Sequence, residues 1–176
     1  MPETEYDESE TTDESDEQSA PAGQASAEPG MGDIFNREDT KNELKIGVVF
    51  FALAGLGVGL GVFLAEALES DFAEMAFYIL AAGFTLPVLV AIVTAQRQAS
   101  ELSELPDNLV LGTAGVTAIA GTLVMGLLLW LFGEMAFDNF GDLGDIILPL
   151  VGLGIGAGAA AAGMVWVMRN LIDGDD

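Results

Sequence analysis

The chain has 176 residues, 28 of them Asp or Glu and five Lys or Arg, for a formal net charge of −23, yet 51% of it is hydrophobic. It contains neither Cys nor His, which excludes thiol nucleophiles, disulfide exchange, iron–sulfur clusters, Cys/His zinc sites and histidine-held haem. Five cations cannot build a phosphate-tracking patch, so nucleic acid is excluded as a partner.

The acidic and the apolar characters sit in different segments. Residues 1–30, "MPETEYDESETTDESDEQSAPAGQASAEPG", hold ten Asp/Glu and no Lys or Arg. They have too little apolar surface to offset chain entropy, so 1–32 reads as a disordered acidic tail. There is no basic start and no apolar core of a signal peptide. A surface crowded with carboxylates and poor in lysine resembles the proteins of extreme halophiles. In molar salt the screening length falls to roughly 3 Å, so such crowding repels little. This is a likeness of composition and points to no family. Residues 33–45, "DIFNREDTKNELK", form a juxtamembrane segment, either a short interfacial helix or a polar lead-in.

Four long stretches without Asp, Glu, Lys or Arg follow: 46–65, 75–95, 109–132 and 146–168. Each suffices for a helix crossing a hydrocarbon core of about 30 Å. The expected fold is an all-α integral membrane protein, a four-transmembrane-helix bundle over 46–172, with a short acidic end at 173–176. Arg37, Lys41 and Lys45 precede the first stretch, Arg97 follows the second and Arg169 the fourth. In a four-span arrangement all five cations lie on one side, and the positive-inside rule makes that side cytoplasmic. Both termini are then cytoplasmic and the location is the cell membrane.

The first stretch contains "GLGVGLG" (55–61) and the fourth "GLGIGAG" (152–158). Neither matches GxGxxG or GxxxxGK[ST], and neither has a cation beside it for phosphate. In a helix the alternation makes two small-xxx-small tracks on nearly opposite faces. On helix one these are Gly55/Gly59 and Gly57/Gly61; on helix four, Gly152/Gly156 and Gly154/Gly158. Both runs fall at matching depths, so the first and fourth helices are expected to contact each other or a second protomer. Leucine at Gly57 and Gly154 is then expected to abolish assembly.

Pro87, in "GFTLPVLV", is expected to kink the second helix and to leave the Gly83 carbonyl unpaired. Pro149 is expected in the first turn of the fourth, where its missing amide costs nothing. Asp107 or Asn108 is expected to cap the third. Thr113, Thr117 and Thr122 are the main polar groups of the third stretch. With Thr85 they would mark a polar lumen if they surrounded a cavity. The outer loops are short and acidic, forming a rim of Glu66, Glu74, Glu134, Asp138, Asp142 and Asp145. The loop "FDNFGDLGD" lacks the EF-hand spacing and a closing bidentate Glu. Tyr78, Trp130 and Trp166 suit aromatic belts.

No residue set supports catalysis, a cofactor or a resident metal. The sequence reading is a non-catalytic multi-pass membrane protein of a halophile. It would act as an assembly or accessory subunit, packing through its glycine-rich faces in the lipid bilayer, as a homo-oligomer or within a larger membrane complex. The alternative is a small oligomeric transporter or channel for a cation or small solute, using the outer carboxylates as a vestibule.

Overall fold

The computed structural model describes residues 31–68, 73–137 and 140–172. The acidic tail before Met31, Asp138 of the rim and the residues from Asp173 onward lie outside the described residues. The described elements are helical: α1 (Met31–Asn36), α2 (Glu38–Ala67), α3 (Ala73–Gly83), α4 (Leu86–Glu101), α5 (Asp107–Ala136) and α6 (Leu143–Val167), with a π-helical turn at Met168–Ile172. Three helices are long and apolar enough to cross a membrane: α2, α5, and α6 with the turn that follows it. A fourth crossing exists if α3 and α4 together make one bent span. These are the helices of a membrane protein.

The juxtamembrane segment divides at Arg37. Glu38 and Asp39 open α2, where negative charge suits the helix dipole. Lys41 donates its amide to the Arg37 carbonyl at 3.1 Å, and Thr40 Oγ1 donates to the same oxygen at 2.9 Å. The polar lead-in is therefore continuous with the apolar helix. Thirty residues rise about 45 Å, more than a hydrocarbon core needs, so the helix ends extend beyond it.

The second apolar stretch is two helices, bent by 42° at Phe84–Thr85. The Thr85 amide and hydroxyl both donate to the Ala82 carbonyl, at 2.9 and 2.7 Å. Pro87 lies in the first turn of α4, where a missing amide forfeits no intrahelical bond. It opens a new helix instead of interrupting an old one.

Two expected helix starts are corrected. The turn at Asp142–Asp145 is wound into α6, with the Asp145 amide on the Asp142 carbonyl at 3.0 Å. Pro149 is therefore inside the helix, and the Asp145 carbonyl lacks the amide it would otherwise receive. At α5 the cap position is Pro106, with no side-chain cap. Asp107 is the first helical residue, and its carboxylate binds Arg169 Nη1 at 2.7 Å.

α5 occupies the middle of the bundle. α2 packs along one side of it and α6 along another, while α4 wedges against α5 and α6 and α3 leans on α2. α2 and α6 are not packing neighbours, so the direct contact expected between the first and fourth helices is replaced by two contacts with α5. Glycines are the sockets. A methyl group on Gly121 would overlap the Phe51 ring, on Gly59 the Phe132 ring, and on Gly126 the Leu150 side chain. Phe51, Val62, Met125 and Leu129 are fully buried and fill the centre. In lipid this close fit must hold the helices, since no hydrophobic force drives one against another.

Candidate functional site

All five cations of the chain lie at one end of the bundle. That end holds the start of α2, the α4–α5 loop and the end of α6. Arg169 fastens it: Nη1 donates to the Leu105 carbonyl at 2.9 Å and Nη2 to the Ser103 carbonyl. With the Asp107 pair, one guanidinium ties the last turn to the loop before α5.

Beside this clamp, the first turns of α2, the last turns of α4 and the first half of α5 form a buried polar knot. Gln98 is fully buried. Its Nε2 donates to Thr117 Oγ1 at 3.0 Å and to the Glu43 carbonyl at 3.3 Å. Thr117 Oγ1 donates in turn to the Thr113 carbonyl at 2.7 Å, and Thr113 Oγ1 to the Leu109 carbonyl at 2.8 Å. Gln98 Oε1 has no hydrogen-bond partner among the described residues. The Glu43 carboxylate accepts from Arg97 Nη2 at 3.2 Å, and the Arg97 guanidinium lies 5.8 Å over the Phe50 ring. Glu43 sits in the polar turns before the apolar run 46–65. Burial pushes its carboxyl above the ordinary value; Arg97 opposes this and Glu101 adds to it.

Two grooves open outward next to the knot. One, of about 330 Å³, runs between α2 and α4 and is lined by Phe50, Ala54, Leu89, Val93 and Thr94, with Arg97 at its end. A shallower one of about 260 Å³ runs along α2 on the other side of Phe50, past Leu53, Val49 and Ile46 to Lys45.

The glycine tracks have divided fates. On α2, a methyl on Gly55 would lie 3.3 Å from the Met125 backbone, and one on Gly59 would overlap Phe132. On α6, a methyl on Gly158 would lie 3.2 Å from the Gly115 carbonyl, and one on Gly154 would touch Ile119. These tracks are spent on α5. A methyl on Gly57, Gly152 or Gly156 would meet nothing within 4 Å, and one on Gly61 would only touch Ile79 at 3.8 Å.

The acidic rim does not converge. Glu134, Asp142 and Asp145 are exposed and Glu66 is half-buried, with Oε2 unpartnered among the described residues. Glu74 belongs to α3, but its side chain lies outside the described residues. Among those, no group of three acidic side chains could hold a metal ion. Thr113, Thr117 and Thr122 are buried between helices, and Thr85 is exposed, so the four do not surround one cavity. Trp130 Nε1 donates to the Gly141 carbonyl at 3.2 Å. It thus ties the α5–α6 loop down at Gly141, whose φ of 118° suits glycine.

Glu43 and Gln98 escaped the sequence reading, though a signal existed. Stepping back by fours along α2 from Gly59 passes Gly55, Phe51, Gly47 and Glu43, all buried. Steps of four and three along α4 join Pro87, Ala91, Thr94 and Gln98, also buried. Compared with family models, curated proteins and solved structures, the chain has no match.

Proposed function

We propose that this chain is a non-catalytic four-span membrane protein, with α3 and α4 forming one bent crossing, that serves as an assembly or accessory subunit. The acidic tail and both termini are cytoplasmic in this reading, as the gathering of every cation at one end supports. Carboxylate-rich exposed surfaces fit a halophile's cell membrane. The observation that carries the proposal is the second glycine track. Gly152 and Gly156 on α6, with Gly57 on α2, face outward and leave backbone open to close approach by another helix. A transporter gains no comparable support, because aromatic and aliphatic side chains occupy the bundle's centre.

The test is extraction in mild detergent at high salt, followed by identification of stoichiometric companions, for the native chain and for Gly152→Leu/Gly156→Leu. The native chain should carry a companion, either another protein or a second copy. The double variant should lose it while unfolding within about 0.5 kcal/mol of the native chain, as expected of substitutions that touch nothing internally. A lone native species, or an association indifferent to both leucines, contradicts the proposal.

A further inference from the structure

We infer that the paired grooves flanking Phe50 are a seat for one anionic phospholipid, with an acyl chain on each side of the ring and the headgroup phosphate between Lys45 and Arg97. Three observations converge on this occupant. The first is length. From Leu89 to Arg97 the larger groove follows α4 for about 12 Å, close to the roughly 15 Å depth of one leaflet. The second is girth. The larger groove's 330 Å³ is drawn out along that length and lined by hydrocarbon side chains apart from Thr94 and Arg97, a narrow apolar trough that suits a single hydrocarbon chain. Leu89 and Val93 on its wall are 58% and 65% exposed, so the wall faces the acyl region of the bilayer.

The third observation is charge. Each groove ends at a cation, Arg97 in one and Lys45 in the other. Lys45 stands two residues beyond Glu43, to which Arg97 is paired, so both cations lie at one depth. Glu43 takes a single N–H of Arg97 through Nη2. The guanidinium is partly exposed and lines the groove, and a guanidinium carries five N–H donors in a planar fork suited to phosphate. The Glu43 contact and the Phe50 ring hold the guanidinium in place, so little side-chain entropy remains to be lost on meeting a phosphate.

The full chain, solubilised from equimolar phosphatidylglycerol and phosphatidylcholine vesicles and passed through detergent exchange in 1 M salt, tests this by quantifying the phospholipid that stays bound. About one phosphatidylglycerol per chain should remain. Its preference over phosphatidylcholine should be more than tenfold, at about fivefold per cation. At that salt the screening length is roughly 3 Å, so only direct contact can sustain a preference. Lys45→Gln should lower the preference about fivefold, and Val93→Trp should expel lipid of both kinds. Lys45 and Val93 are both exposed, so both variants should fold. Equal retention of the two lipids, a preference unmoved by Lys45→Gln, lipid still held by Val93→Trp, or a second copy that buries the groove and excludes lipid would each overturn the inference. These readouts concern α2 and α4, so they are independent of the fate of the α6 glycine face.

Discussion

Valine in place of Gly121 should loosen the bundle at its centre. The substitution places a branched side chain where the Phe51 ring already lies. Phe51 is fully buried and has no room to withdraw. Overpacking of this kind costs about 3 kcal/mol when neighbours cannot shift. The same valine at Gly57, which faces outward, should cost no more than about 0.5 kcal/mol. Phe51→Ala empties the other half of the joint. In lipid the transfer-from-water term largely drops out while the lost packing contacts remain, so about 2 kcal/mol is expected. The double variant should be less damaged than the two losses summed, by about 1–3 kcal/mol, because each change removes the other's partner. Reversible denaturation in mixed micelles measures all four corners of this cycle. Strict additivity, or a Gly121→Val chain as stable as Gly57→Val, would mean that α2 and α5 do not meet through this socket.

Gln98→Ala should be the most damaging change in the polar knot. It removes both Nε2 bonds, to Thr117 and to the Glu43 carbonyl, and leaves a cavity at a fully buried position. The expected loss is about 2–4 kcal/mol. Gln98→Met separates shape from polarity. Methionine nearly restores the volume and removes an Oε1 that has no hydrogen-bond partner among the described residues. Thr117 keeps its own bond to the Thr113 carbonyl. Methionine should therefore cost less than about 1.5 kcal/mol. Equal damage from alanine and methionine in the same denaturation assay would show that the polar contacts, and not the packing, hold α4 against α2 and α5 here.

The elements of this fold were more legible in the sequence than their neighbours. Twenty uncharged apolar residues announce a spanning helix because an unpaired charge in hydrocarbon is costly. Likewise, alternating glycines announce faces without side chains. Which face meets which helix depends on long-range fit. Gly55 and Gly59 look identical in sequence to Gly57 and Gly61, yet only the first pair receives α5. The central place of α5 follows from sockets on it, such as Gly121 for Phe51 and Gly126 for Leu150, matched to knobs on two different helices. No local pattern carries that pairing.

The candidate site was hidden for another reason. Glu43 and Gln98 stand just outside the apolar runs, where polar residues are ordinarily solvated. They become buried because α2 and α4 continue as helices past the apolar limits and carry the inward stripe with them. Pro87 marked a disturbance correctly placed in the chain, but its geometry depends on Thr85 turning back onto Ala82, which proline alone does not specify. Pro149 lies deeper in α6 than the start of the apolar run implies, because Asp142–Asp145 already winds into the helix, although an acidic turn holding a glycine has the composition of a loop.

The central claim is that the chain crosses the bilayer four times, with α3 and α4 as a single bent crossing. Because the chain has no cysteine, one introduced thiol at a time reports its own side without background. Asn36→Cys, Leu68→Cys, Ser103→Cys and Gly144→Cys in intact cells, exposed to a membrane-impermeant maleimide, give the most direct reading. Positions 68 and 144 should label from outside, while 36 and 103 should label only after lysis. Labelling of 68 and 103 from the same side would make the α3–α4 pair a re-entrant hairpin and the account wrong.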